Sequence, residues 1–504
     1  MDRDQRLVLV ASILGSFVAF LDMAVVNVAL PAIRAELGGG MASQQWVVDG
    51  YLLTLGSFIL IAGSLADLFG RRRVFVVGLI GFAATSLLCA AAPGQELLIA
   101  SRALQGVAGA LLVPSSLALI ISRFTGPAQG KAIGTWTAWT GISFILGPLL
   151  GGVLVDAGSW RWVFAINVVP VAATLLVLAR VKPDEALTAH RVDFLGAILC
   201  AVGLFGIIFA LIEQPARGWG SPLILVSLGG GLLVLIGFLA FEARASHPML
   251  DFALFRSRNF AVGNVATVAI YAALTAPTFL LTVFLQQVGG YSATRAGLAL
   301  MPVTLIMFTT SPLFGRLAAK HGSRLFMTVG PIVAAVGFVL LARVEARVHY
   351  LSQLLPGVLV FGLGLAATVA PLTAAILGGI DERHAGIGSA INNAIARVAG
   401  LLAVAAVGAI VASVSVAAIQ RRVAEEPLGR RARAFLAEAA SRPLDTSVPD
   451  ELRGEARAVQ PILEQASVRA LRVSLWSTAG LLVLGGLISA AGIRKPRQEE
   501  APAG

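Results

Sequence analysis

Asp22, Arg102 and Arg397 each stand deep inside a stretch that is otherwise apolar, and Asp49 stands at the start of another. Ionisable side chains in such surroundings are expensive, and by default they mark proton or ion routes. Burial and a neighbouring cation act on a carboxylate's ionisation in opposite senses. Their balance lets protonation follow the water to which the site is exposed. Arg102 is the partner that fits Asp22. If the stretch of Asp22 rises outward, Asp22 lies about nine residues, roughly 13 Å, from its outer end. The stretch of Arg102 then descends, and Arg102 lies about five residues, roughly 8 Å, from the same side. An arginine's length covers the difference. A static pair holding two helices together is the structural alternative. Asp49, three residues after Trp46, reads as a second acid of this cluster or as an interfacial residue. Arg397 follows Asn392 and Asn393 and has no acid in the neighbouring apolar stretches. It could attract anionic groups, repel cations or bond backbone carbonyls.

The elements that hold these residues follow from composition. Apolar residues make up 57% of the chain, only 13% are charged, and the mean hydropathy is +0.85. A chain this apolar and this long needs lipid as solvent for much of its surface. Fourteen apolar stretches of spanning length lie near 7–31, 46–66, 74–92, 97–121, 132–155, 162–180, 194–212, 222–241, 260–285, 296–315, 325–342, 351–377, 386–416 and 470–492. The first is too long for a signal peptide and carries Asp22, so it is expected to be a retained span. With the N-terminus inside, the inner segments hold twenty Arg and Lys and the short outer loops six. Both termini are therefore expected in the cytoplasm.

The segment 420–468 departs from this pattern, with eight arginines balanced by eight acids. Its stretch 430–440 reads as a short amphipathic helix, and the segment as a surface cap rather than a substrate gate. The net charge of +11 comes from short clusters between apolar runs, not from a basic stripe suited to phosphates, so nucleic acid is not an expected partner. Cys89 and Cys200 both lie in apolar runs, and no Cys/His spacing points to a disulfide or a metal.

An internal repeat organises the chain. Gly63, Leu65, Ala66, Gly70 and Arg72 recur as Gly315, Leu317, Ala318, Gly322 and Arg324, 252 residues later. The expected fold is all-α and polytopic, with two six-helix bundles at 1–181 and 260–497 and two linker spans at 182–259. Paired bundles around a midplane site are the architecture of secondary transporters.

The loop Gly63–Arg73, with Asp67 and Gly70 followed by Arg71 and Arg72, resembles the signature loop of the major facilitator superfamily. The resemblance implies a conformational latch in which Asp67 pairs with an arginine. The second copy has Ala319 where Asp67 stands, which puts a matching latch in doubt. The run Leu21 to Pro31, with Asp22 and Asn27, is similar to the first-span motif of the 14-span drug:proton antiporter branch, although Met23 and Ala24 depart from its usual small hydroxyl residue. Ser101 to Ala110, with Arg102 and Gln105, resembles the fourth-span motif tied to proton transfer. Gly141, Gly147, Pro148, Gly151 and Gly152 resemble the fifth-span motif of exporters, which implies outward transport. Physically, these residues permit bending and close packing. The run Trp160, Arg161, Trp162 to Pro170 also resembles a family run and reads as an interfacial anchor.

The resemblance implies proton-coupled efflux of lipophilic small molecules or antibiotics by alternating access, with Asp22, Arg102 and Asp49 as the proton-coupling set. Asn27, Gln105, Asn392, Asn393 and Arg397 are the candidates for the substrate cavity. The alternative is a dedicated exporter of one metabolite, lipid or self-made antibiotic. No nucleotide-binding GxxxxGK[ST] loop and no polar catalytic cluster is present, so neither ATP nor an enzymatic role is expected. The expected partners are a small-molecule substrate, protons and the lipid bilayer of a bacterial cytoplasmic membrane. No cofactor is expected, and a monomer suffices.

Overall fold

The computed structural model describes the chain except residues 125, 182–192, 246–249, 251, 379, 381–384, 427, 441, 450–451, 453 and 495–504. Within its helices, the side chains at Leu60, Gly63, Ser64, Asp67, Gly141 and several other positions also lie outside the described residues. The expected Asp67 latch therefore falls outside them.

No strand occurs among the described residues. The first half holds α1 (Arg3–Leu37), α2 (Met41–Phe69), α3 (Arg71–Ala90) and α4 (Gln95–Arg123). It continues with α5 (Gly126–Gly141), α6 (Ser143–Ala157), α7 (Arg161–Ala165) and α8 (Val168–Leu178). Next come α9 (Phe194–Arg217) and α10 (Pro222–Glu242). The second half holds α11 (Arg258–Gln287), α12 (Ala293–His321), α13 (Ser323–Leu341) and α14 (Leu355–Leu377). It closes with α15 (Ala385–Glu425), α16 (Arg430–Ala439) and α17 (Ala456–Gly492).

Twelve helical segments among the described residues are long and apolar enough to cross a membrane, with α7 and α8 counted as one. The 29-residue α2 and the α5–α6 pair, split at Ile142, lie where the sequence places spans 2 and 5. The outward surface is itself apolar: on α10, Leu225, Val226, Leu233 and Ile236 are all exposed. An apolar exterior of this kind suits hydrocarbon as solvent.

Helix ends follow local chemistry. Asp2 accepts from the Gln5 backbone at 2.7 Å while the Gln5 side chain accepts from the Asp2 backbone at 3.1 Å, a capping box that starts α1. Gly70 ends α2 and starts α3 at φ +93°, and Gly322 joins α12 to α13 at φ +90°. This is the left-handed region that favours glycine. The 252-residue repeat thus extends to the backbone conformation.

Helices α1 to α8 pack mainly on one another, as do α11 to α17, and α9 pairs with α10. The two groups meet along two seams, α2 against α15 and α6 against α12, with α1 touching α11 between them. Helix α9 leans on both α2 and α15. The end of α11 meets the end of α1 through Gln286 and Val28, and the start of α11 bonds the end of α17 through Arg258 and Gly492. The start of α1 and the end of α17 therefore lie on one face, here the terminal face; the opposite one is the distal face.

Candidate proton and substrate site

Asp22 and Arg102 are both buried and form an ion pair at 2.5 Å, joining α1 to α4. A buried pair is tolerable only where further hydrogen bonds satisfy the remaining polar atoms. Gln105 donates to Asp22 at 3.1 Å, and Asn167, between α7 and α8, donates to it at 2.8 Å. Both amides also donate to Ser86 Oγ on α3, at 2.8 and 3.3 Å. Arg102 in turn donates to the Gln105 carbonyl at 2.6 Å and to the Val47 backbone at 3.0 Å. Its guanidinium lies 4.3 Å from the Tyr51 ring centroid, a cation–π contact. One carboxylate thus ties α1 to α4 and to the junction of α7 and α8.

The other expected residues distribute unevenly. Asp49 is fully buried, and neither of its oxygens has a hydrogen-bond partner, so no hydrogen bond ties it to the Asp22 cluster. Gln105, expected in the substrate cavity, is fully buried and committed to the Asp22 cluster. Asn392, also expected there, instead donates to Asn264 at 3.0 Å and Thr267 at 2.9 Å, stitching α15 to α11. Asn27 is half-buried, with one long bond of 3.4 Å to the Met23 carbonyl, and Asn393 is exposed. Asn167 and Ser86 were not singled out from sequence. Asn167 belongs to the run beginning at Trp160 that reads as an anchor, and its place in the cluster is a function that reading misses.

Arg71 donates to the Ala118 carbonyl near the end of α4, and Arg72 to the Leu178 carbonyl that ends α8, at 3.3 and 3.0 Å. Cations suit the negative ends of helices.

The glycine motif packs on two partners. A Cβ on Gly151 would lie 3.0–3.2 Å from Val25 of α1, and one on Gly147 would overlap Ala24. A Cβ on Gly152 would lie 2.6 Å from the Thr294 nitrogen of α12, in the other bundle. From the α12 side, one on Gly297 would lie 2.8 Å from the Pro148 carbonyl carbon.

Hydrogen bonds reinforce this seal. Asp156 accepts from the Ala293 and Thr294 backbone at 3.1 and 2.9 Å, capping α12 from the other bundle. Gln45 donates to Val404 at 2.8 Å, Gln286 to Val28 at 3.0 Å, and Arg34 to Gln287 at 2.9 Å. Arg34 also pairs with Asp445 of the segment 420–468, whose Thr446 donates to the Gln287 carbonyl at 3.1 Å. All of these lie in the distal half of the seams. The arrangement is closed at the distal face.

Two helical bundles meeting along paired seams, with a buried ion pair between helices of one bundle, have the architecture of a secondary transporter. Residues 12–404 match the model of the Major Facilitator Superfamily, and the chain belongs to that family. It is 34% identical over 416 residues to Multidrug resistance protein Stp of Mycobacterium tuberculosis (strain CDC 1551 / Oshkosh), covering 82% of this chain and 77% of that protein. It is 35% identical over 409 residues to the Methylenomycin A resistance protein of Bacillus subtilis (strain 168), covering 80% and 87%. Among solved structures, it shares its fold with a bacterial homologue of the human lysosomal transporter Spinster, at TM-score 0.63 and 16% identity over 98% and 100% of the two chains. Among the described residues, no group of three or more His, Cys, Asp or Glu is placed to hold a metal ion.

Proposed function

We propose that this chain is a proton-coupled efflux carrier that moves lipophilic small molecules, antibiotics among them, out of a bacterial cytoplasm by alternating access. The observation that carries this reading is the buried Asp22–Arg102 pair, set on the same helix as the residues that pack against the span 5 glycines. The excess of Arg and Lys on the terminal side supports a cytoplasmic terminal face. The closed distal seam is then the outer gate, and the carrier is open inward. Fourteen spans, a monomeric unit and bundles at 1–181 and 260–497 flanking a linker pair belong to the same proposal.

Coupling follows from α1. Asp22 accepts from Arg102, Gln105 and Asn167, while Ala24 and Val25 pack on Gly147 and Gly151 of α6. A proton on Asp22 removes the charge that holds these donors. The register of α1 then changes against the glycines two and three residues further along, and the outer seam responds. The Asp22 side chain takes the proton when its surroundings open outward and returns it to the cytoplasm as cargo enters.

Drug-induced proton movement in everted vesicles tests the reading, with wild type and Asp22→Asn compared across neutral, cationic and anionic lipophiles. Wild type should release protons with several compounds and Asp22→Asn with none, at equal membrane levels. Export against a gradient at the wild-type rate by Asp22→Asn would sink the assignment. A second reading, a dedicated exporter of a single metabolite, lipid or self-made antibiotic, is supported by relatives named for one compound each, methylenomycin A and tetracenomycin C among them. A response to only one compound class would favour it.

A further inference from the structure

We propose that Arg397 is the anchor for an acidic group on the cargo, so that aromatic weak acids, carried as their carboxylate or phenolate anions, are a preferred substrate class. This rests on the efflux reading above. Arg397 lies on α15, in the seam opposite α1 and α2: its Cβ lies 3.9 Å from where a Gly56 Cβ would stand, and its guanidinium lies 5.8 Å from the Phe20 ring centroid. One terminal nitrogen donates only to the Met23 sulfur, at 3.2 Å, a weak acceptor. The buried Nε has no partner, and no carboxylate pairs with the side chain. The phenols of Tyr51 and Tyr271 interact with it, and the Asp22 carboxylate is committed to Arg102.

A half-buried cation whose Nε is buried without a partner is costly, and such cations are normally paired or bonded. The missing partner is an anion, and the surroundings indicate its shape. On α15, Asn393 lies one turn towards the terminal face from Arg397, on the same side of the helix, and is exposed. The gap between the bundles is therefore open at that level. On α1, Phe20, Met23 and Asn27 follow one another at helical spacing, are all half-buried and face the same gap. An arginine flanked by an aromatic ring, a thioether and two amides suits a flat apolar body carrying one anionic group. The same charge disfavours lipophilic cations.

The test is calorimetric binding of 1-naphthoic acid and its methyl ester to the purified full chain in nanodiscs at neutral pH. Wild type should bind the acid at least about tenfold more tightly than the ester. Arg397→Gln should bring the acid down to the ester's affinity and leave the ester unchanged, which also reports an intact fold. Arg397→Lys should keep part of the preference. Equal affinity for acid and ester in wild type, including no binding of either, overturns the proposal, as does full preference in Arg397→Gln. Proton release from vesicles with the ester is measured in parallel. Silence there, with acid preference intact in nanodiscs, would count against proton-coupled efflux and leave the Arg397 site standing.

Discussion

Replacing Gly152 by alanine would drive a methyl group into the backbone of α12. The added Cβ would lie 2.6 Å from the Thr294 nitrogen and 2.9 Å from the Ala293 carbonyl carbon, both short of the 3.4 Å at which ordinary contact begins. The nearest atoms are backbone and cannot swing away, so the α6–α12 seam must part by about 1 Å at this level. Overpacking of this kind costs roughly 1–3 kcal/mol. The cost falls only on the state in which the distal seam is closed, so the balance between states moves by about 5–150-fold towards opening. Cys89 and Cys200 are both buried, which leaves a clean background for an introduced thiol. Asn27→Cys places one just behind the Gln286–Val28 contact. A membrane-impermeant maleimide applied to whole cells reaches it only when the distal gate opens, so Gly152→Ala should raise the labelling rate by that factor. Gly134→Ala, where a Cβ meets nothing within 4 Å, serves as the matched control. Equal labelling of the Gly152→Ala and Gly134→Ala proteins would refute the reasoning.

The remaining predictions concern the gate's pH response and the proton cluster. Asp156 lies just beyond span 5; burial pushes its carboxyl up, but bonds from Thr294, Ser292 and the Ala293 backbone outweigh this and hold it below the ordinary carboxylate range. A pKa lowered in the closed state means that its contribution to closure is fully present above the ordinary value of about 3.9 and is lost as pH falls through the lowered one. Labelling of Asn27→Cys, taken relative to a freely exposed thiol at the same pH to remove the loss of thiolate, should therefore stay flat from neutral to mildly acidic pH and rise only below the ordinary carboxylate range. Asp156→Ala should remove that acid limb and raise neutral-pH labelling by the roughly 0.5–1 kcal/mol of a lost cap, about two- to fivefold. An unchanged acid limb in Asp156→Ala would assign the response to another group. Asn167→Ala removes a hydrogen bond to a charged carboxylate, worth about 1.5–3 kcal/mol, and should slow drug-driven proton release about tenfold or more. Wild-type release by Asn167→Ala would return that residue to the anchor role its sequence context suggests.

What the sequence made legible, and what it did not, divides by the range of the physics involved. The Asp22–Arg102 pair could be placed by counting helical rise from two span ends, because depth in a bilayer is a one-dimensional coordinate. The amphipathic stretch at 430–440 is found as α16, Arg430–Ala439, since periodicity is local. Hydropathy ended span 13 near residue 416, yet α15 runs on to Glu425, because backbone hydrogen bonding continues past the apolar boundary. An Arg421–Glu425 pair at 2.9 Å supports that last turn. Ser86 and Asn167 gave no signal: neutral polar residues on separate spans carry no spacing that announces a shared carboxylate. Gln105 and Asn392 were expected in the cavity because amides suit a cavity, but amides also suit helix contacts, and packing decided for the latter. For Asp156 a cue existed, an acid at the end of one span facing a Ser-initiated helix start, but only the fold brings the two together.

Under the proposed mechanism, helix α1 lets a proton and a cargo share one machine without sharing a site. Its buried side carries Asp22 into a cluster closed by Arg102, Gln105 and Asn167. The next residues turn elsewhere: Met23 meets Arg397 across the gap, and Ala24 and Val25 meet the glycines of α6. Four consecutive residues of one helix thus touch the proposed proton site, the proposed cargo anchor and the proposed outer gate. A helix cannot move one of these faces and leave the others in place. Coupling under this arrangement needs no direct contact between proton and cargo. It also follows that changes at Asp22, at Gly147 or at Arg397 alter different terms of one equilibrium: Asp22→Asn removes the proton's influence, Gly147→Ala biases the gate, and Arg397→Gln removes the cargo's charge preference while leaving the other two intact.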